Sequence, residues 1–262
     1  MAELTLSGLT IQSDGVTLVD QVGLTVRPGE IVALIGASGS GKTLTCRALL
    51  GLVDLDPGVV SANLHVADAD HEWTPYAGLS GAGRRARDRA FRSLRGRILG
   101  YLPQGAPAAL DPVVRVGTQL QRTAELGQGG MVTSWLERAG FDAEQARALP
   151  QLWPHELSGG MAQRVVIAQA LARGSRILVA DEPTTGLDAP LQRRLLESLR
   201  ALADDGLAVL IVTHDLRMAS PVADRMIVLD GGRTAEVWSG VPEVAESPAG
   251  ARLLSAIREV PW

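Results

Sequence analysis

Apolar positions along the chain fall into short unbroken runs separated by glycine, proline and acidic residues. Ile31 to Ile35 is β-branched and apolar, and it stops at a glycine-rich loop. Leu44 to Leu52 follows with helical periodicity. Two further runs, Ile177 to Ala180 and Leu207 to Val212, are apolar throughout. Unbroken runs of this length suit parallel strands covered on both faces by helices. Met226 to Leu229, the turn Asp230-Gly231-Gly232 and Arg233 to Trp238 predict a hairpin. Ahead of Ile31, the turn signals Asp14-Gly15 and Pro28-Gly29 predict short antiparallel strands.

The middle of the chain has another rhythm. From about Pro107 to Glu156 the pattern is helical, broken at Gly127, at Gly129-Gly130 and at Gly140. This predicts a helical subdomain, spanning about 105–160, inserted into an α/β core with a mixed sheet. From about Glu243 to the last residue, 262, a short helical appendage is expected. The whole of 1–262 is read as one domain.

Composition narrows the function classes. Hydrophobic residues make up 46% and charged residues 21%, the balance of a globular protein. The net charge of −4 gives no general electrostatic case for nucleic-acid binding. Seven arginines between Arg84 and Arg97 form one basic stretch, but aromatic residues are scarce around it. It is read as a solvated helix face beside a partner surface. Cys46 stands alone, which excludes an internal disulfide and suits a small buried hydrophobe. The N-terminus lacks the basic start and apolar stretch of a signal peptide, and no run approaches the roughly 20 apolar residues of a membrane span. A cytoplasmic protein is expected.

Three strings carry chemistry. Gly36-Ala37-Ser38-Gly39-Ser40-Gly41-Lys42-Thr43 matches the P-loop pattern between a predicted strand and a predicted helix. Its glycines let backbone N–H groups curl around phosphate oxygens at a helix start. Lys42 is placed to reach the β- and γ-phosphates of ATP, and the Thr43 hydroxyl to bind Mg²⁺. The run Ile177 to Ala180 delivers Asp181 and Glu182 to the C-terminal edge of the sheet, where ligands of such sheets bind. There Asp181 can hold Mg²⁺ and Glu182 can act as general base. Taken alone, this pair would equally suit a solvated acidic turn. Leu157-Ser158-Gly159-Gly160-Met161 opens a third helix, with free N–H groups for a second anion site. Two phosphate-binding loops serve one nucleotide only where they meet, which is easiest between two chains.

In this order the motifs resemble those of ATP-binding-cassette (ABC) transporter nucleotide-binding subunits, over nearly the whole chain. Gln104 in Tyr101-Leu102-Pro103-Gln104 sits where that family has its Q-loop glutamine, a further Mg²⁺ ligand. Asp188 in Thr184-Thr185-Gly186-Leu187-Asp188 resembles the D-loop, and His214 in Val212-Thr213-His214-Asp215 resembles the switch histidine. Leu94-Arg95-Gly96-Arg97-Ile98, Leu110-Asp111-Pro112 and Pro154-His155-Glu156 look like the oligopeptide, dipeptide and nickel importers. Gly41-Lys42-Thr43-Leu44-Thr45-Cys46 is similar to the nickel-import type. So read, Glu182, His214 and Gln104 are catalytic. Gly36, Ser38, Gly39, Ser40, Gly41, Lys42, Thr43, Ser158, Gly159, Gly160 and Asp188 bind the nucleotide.

The resemblance implies two ATPase chains, of different kinds, enclosing ATP and Mg²⁺ at the cytoplasmic face of the membrane. It also implies permease subunits and a solute-binding protein, with no nucleic-acid partner. A cytosolic assembly factor of the same type would keep the same site without transport. Three departures from the family pattern stand out. Leu44 replaces a hydroxyl residue, the cysteine cluster of longer members is missing, and no aromatic ring precedes Trp73 to stack on adenine. In place of that ring, Ile11, Ser13 and Val16 are the expected neighbours of the base.

Overall fold

The structure, a computed structural model, describes residues 1–78 and 84–258. Strand β1 (Ala2–Ser13) turns through Asp14 and Gly15, both at positive φ, into the antiparallel strand β2 (Val16–Val26). A two-residue turn of that geometry matches the twist of a hairpin. These strands are long rather than short, because each continues past irregularities in the ladder at Leu6, Leu9 and Ile11. Strand β3 (Ile31–Gly36) then leads through the glycine loop to helix α1 (Lys42–Leu49). The helix starts two residues before the expected Leu44 and ends short of Leu52, where Gly51 takes a φ of 65°.

Strand β4 (Pro57–Asp68), for which the sequence pattern gave no signal, pairs antiparallel with β1, and β5 (Glu72–Trp73) pairs with β4. The first sheet therefore has the order β2-β1-β4-β5. Helix α2 (Arg84–Phe91) holds part of the arginine-rich stretch. That stretch is only partly solvated: Arg87 is 5% exposed and donates to the Val53 carbonyl, while Phe91 packs on Gly51 and Leu94 is buried. The face read as solvated beside a partner surface thus also carries core contacts.

Strand β6 (Leu99–Leu102) is followed by the helical insertion of α3 (Val116–Glu125), α4 (Val132–Arg138) and α5 (Ala143–Ala148). The three helices lie between β6 and the long helix α6 (Gly159–Arg173). Breaks fall where the glycines are, between α3 and α4 and between α4 and α5. The insertion is anchored by Arg164 of α6, whose guanidinium lies 4.1 Å over the Phe141 ring and donates to the Gly140 carbonyl at 2.9 Å.

The chain continues through β7 (Ile177–Asp181), α7 (Ala189–Asp204), β8 (Ala208–Thr213), α8 (Leu216–Ala219), β9 (Arg225–Asp230), β10 (Arg233–Trp238) and α9 (Pro248–Arg258). Residues 259–262 of the expected appendage lie outside the described residues. The second sheet has the order β10-β9-β3-β8-β7-β6, parallel except for β10, which forms the expected hairpin with β9. One core fills the space between the two sheets around α1, with Leu4, Ile11, Leu34, Leu49 and Val179. A second lies on the other face, under α6, α7 and the insertion, with Leu120, Ile167, Leu178 and Leu199. Cys46 is fully buried in the first. Among the described residues, no helix is long and apolar enough to cross a membrane.

Candidate functional site

Parallel pairing of β3, β8, β7 and β6 sends their four C-terminal ends to one edge. Ile35 pairs with Thr213, Asp181 with Val212, and Ala180 with Leu102. The glycine loop, the two carboxylates, His214 and Gln104 therefore follow neighbouring strands at that edge, although they lie far apart in sequence. Loops at this edge of an open α/β sheet are where such folds bind ligands.

The loop from Gly36 to Thr43 is shaped by close approach. A Cβ on Gly36 would fall 2.3 Å from the Leu229 carbonyl oxygen and 2.7 Å from Ser40 Oγ. Gly41 caps α1 at a φ of 98° with no side-chain cap, which leaves the helix N–H groups free. Ser38, Gly39 and Thr43 are exposed, whereas Ser40 and Lys42 are buried. Lys42 folds over the loop, donating to the Gly36 and Ala37 carbonyls at 2.8 and 2.9 Å. Burial pulls its ammonium pKa down, and the negative charges of Glu182 and Asp181 oppose that shift. Withdrawal of two carbonyls in favour of phosphate oxygens would leave the ammonium in its preferred charged state.

Asp181 is 4% exposed, and its Oδ1 has no hydrogen-bond partner. Burial raises its pKa, as does the neighbouring Glu182 charge, against weaker stabilisation from Arg47, Tyr101 and Lys42. A buried carboxylate oxygen with no donor fits a hard cation, so the site accepts Mg²⁺ on its chemistry. Glu182 is held at a φ of 48°, and its N–H donates to the Val212 carbonyl at 2.8 Å. Its Oε1 lies 2.7 Å from His214 Nδ1, and its Oε2 3.4 Å from Thr213 Oγ1. The histidine is 60% exposed and the carboxylate 14%, so the pair sits at the rim of the site. Gln104 is exposed just beyond β6.

The other loop lies elsewhere on the chain. Ser158 caps α6, accepting from the Met161 N–H at 3.3 Å; Ser158 and Gly159 are exposed. Gly160 is buried against Leu191, and Gly159 approaches Leu187. Asp188 caps α7 by accepting from the Leu191 N–H at 2.9 Å. Among the described residues, no hydrogen bond joins 158–160 to 36–43. The structure thus brings together Lys42, Asp181, Glu182 and His214, and it leaves Ser158, Gly159 and Asp188 on an open surface. Of the three expected neighbours of the base, Ile11 is fully buried in the core and unavailable, while Val16 is 58% exposed. Thr213 and Tyr101, both next to the carboxylates, were not singled out from the sequence. Neither carries a spacing signal of its own.

The ABC transporter family matches residues 19–185. The oligopeptide transport ATP-binding protein OppD of Mycobacterium tuberculosis is 36% identical over 247 residues, covering 90% of this chain and 38% of its own length. The dipeptide transport ATP-binding protein DppD of Escherichia coli is 32% identical over 225 residues, covering 83% of this chain and 65% of its own length. The chain therefore spans less than two thirds of either relative. In fold it is similar to the dimeric post-hydrolysis state of the ATP-binding cassette MJ0796 bound to ADP and Pi, with a TM-score of 0.68 and 24% identity. That likeness covers 90% of this chain and 98% of the other. With the glycine loop, the carboxylates and His214 gathered at one sheet edge and the family match across 19–185, the chain belongs to the ABC transporter family.

Proposed function

We propose that this chain binds and hydrolyses ATP and couples that reaction to peptide import through permease subunits. The observation that carries the reading is the convergence of Lys42, Asp181, Glu182 and His214 at one sheet edge, with Glu182 bonded to His214 at 2.7 Å. The glycine loop N–H groups and Lys42 hold the phosphates. Thr43, Asp181 and Gln104 hold Mg²⁺, which when bound neutralises charge on the phosphate oxygens. Glu182 takes the proton of a water that attacks the γ-phosphorus, the bond to the β–γ bridging oxygen breaks, and His214 orients Glu182.

The helix start at Ser158-Gly159-Gly160, exposed at Ser158 and Gly159, is an anion site with no phosphate loop of its own chain hydrogen-bonded to it. It completes the site of a second ATPase chain, as the dimeric state of the similar cassette supports. We infer that the second chain is a different one and that the pair works at the cytoplasmic face of the membrane, fed by a solute-binding protein. Peptides lead as cargo because the relatives are named for oligopeptide and dipeptide transport. Nickel-type complexes are the narrower alternative, resting on Thr43-Leu44-Thr45-Cys46 alone. Purification from its native membranes in detergent tests the transport role. Recovery of a complex whose ATP hydrolysis rises with peptide-loaded binding protein is expected. Finding the chain free of any membrane subunit would point to the assembly-factor role.

A further inference from the structure

Glu182 has a backbone that a carboxylate residue seldom adopts. Its φ of 48° lies in the left-handed region, where a side chain with a Cβ is strained unless its surroundings over-determine it. On the upstream side the constraint is plain, since the Glu182 N–H donates to the Val212 carbonyl. Downstream, the Thr185 N–H returns to the Glu182 carbonyl at 3.2 Å, closing a turn through Pro183 and Thr184. Two side chains hold that turn from outside: Gln192 of α7 donates to the Thr184 carbonyl at 3.3 Å, and the residue directly after Glu182 is gripped from α6. Gln163, in the second turn of α6, donates from Nε2 to the Pro183 carbonyl.

Gln163 is 4% exposed, and its Oε1 is buried without a partner. Only the donor end of this buried amide is satisfied: an apolar side chain of the same length would spare the orphan Oε1 but strip the Pro183 carbonyl of its donor. Its residue type makes sense if the donor is what matters. The donor's place matters too. Gln163 lies on the helix that opens at the exposed Ser158 and Gly159 and whose Gly159 and Gly160 approach Leu187 and Leu191. One rigid helix therefore carries the anion-binding end outward and, a turn later, grips the peptide next to Glu182.

We propose that Gln163 is a positioning residue for Glu182, tying the start of α6 to the carboxylate of the same chain. A phosphate drawing on the Ser158 end of α6 would shift the Pro183 carbonyl and, with it, the Glu182 carboxylate. Each chain's own site would then sense whether its α6 has engaged a partner's nucleotide. This rests on the reading of Glu182 as the base, and the test separates the two.

The variants are Gln163→Met, which keeps length and removes both polar ends, and Gln163→Glu, which keeps shape and removes the donor. Both are made in the full chain beside Glu182→Gln, with Mg-ATP as ligand. Both Gln163 variants are expected to lower kcat by about tenfold or more, since small misplacements of a catalytic group have effects of that order. ATP affinity should stay within about threefold, because that split marks loss of an arrangement needed only for reaction. Amide exchange at Glu182 and Thr185 should also quicken in Gln163→Met beyond any rise at other amides of the core, a readout independent of hydrolysis. The inference is overturned by a smaller loss of kcat, by unchanged exchange at those amides, or by a wild-type rate in Gln163→Glu. A fall in ATP affinity that accompanies the loss, or faster exchange spread evenly over the core, would mark a merely structural role and overturn it as well. If Glu182→Gln collapses hydrolysis while the Gln163 variants do not, only this inference fails. If Glu182→Gln itself turns over normally, the base assignment fails, and the exchange measurement still decides the Gln163 contact.

Discussion

Replacing Val16 with tyrosine tests how this chain holds the base of its nucleotide. Val16 opens β2 and is 58% exposed. Three residues on, the Val19 side chain and the Leu18 carbonyl close on Gly41 at the head of α1, at 3.1 and 3.5 Å from where its Cβ would be. The strand that opens at the exposed Val16 thus reaches the phosphate loop, and no phenylalanine, tyrosine or tryptophan precedes Trp73 to stack on a base there. Aromatic stacking on a base is worth about 1–3 kcal/mol by alanine substitution. Ordering one more side chain costs about 0.5–1.5 kcal/mol. The net gain expected for Val16→Tyr is thus about 1 kcal/mol, or roughly fivefold in ATP affinity. In the wild type, aliphatic contact reads little of the base, so GTP should compete with ATP within about tenfold. Competition titrations of a fluorescent nucleotide by ATP and GTP, on both proteins, give all four affinities. Wild-type preference for ATP above about a hundredfold, or no tightening in Val16→Tyr, would mean that another residue reads the base.

Gly36→Ala places a methyl group 2.3 Å from the Leu229 carbonyl oxygen, so β3 and β9 must part. A loss of about 1–3 kcal/mol in urea unfolding is expected, with weakened nucleotide binding. Arg225 pairs with Glu30 and also donates to the Thr25 carbonyl at 2.7 Å, with both partners less than a quarter exposed. Arg225→Leu should cost about 3 kcal/mol near neutral pH. Burial alone would raise the Glu30 carboxyl, but Arg225 and the Arg27 N–H outweigh it and hold it below its ordinary 4.5. The stability this lends is therefore present above 4.5 and lost as pH falls through the lowered folded value, so the gap between wild type and variant should narrow there.

The parts of the site legible in the sequence are those where chemistry fixes residue type at short range. The glycine loop, the Asp181-Glu182 pair after an apolar run and the Ser158 helix start each declare themselves within eight residues or fewer. Convergence of the first two follows from parallel pairing of unbroken apolar strands, which the runs at 31–35, 177–180 and 207–212 already imply. Strand β4 was hidden because its order in the sheet depends on pairing with β1, some fifty residues away, and its own residues alternate only weakly. Arg87 misled because an arginine in a charged run looks solvated, and only the Val53 carbonyl it meets reveals its burial. Ile11 looked available to the base because sequence distance from the turn says nothing about which face of the strand is covered. Gln163 gave no signal at all, since a glutamine in a helix acquires its meaning from Pro183 twenty residues on.

The proposed function makes Glu182 the base of an ATP site completed by a second chain. Glu182→Gln keeps the shape of the side chain and removes its capacity to accept a proton. Incubated with Mg-ATP and run on size-exclusion chromatography beside a hydrolysis assay, it should lose about a hundredfold or more in turnover. It should also elute with its nucleotide as two chains, alone or with its companion subunit. A variant that hydrolyses ATP at the wild-type rate, or one that binds ATP and stays a single chain even with that companion present, would contradict the claim.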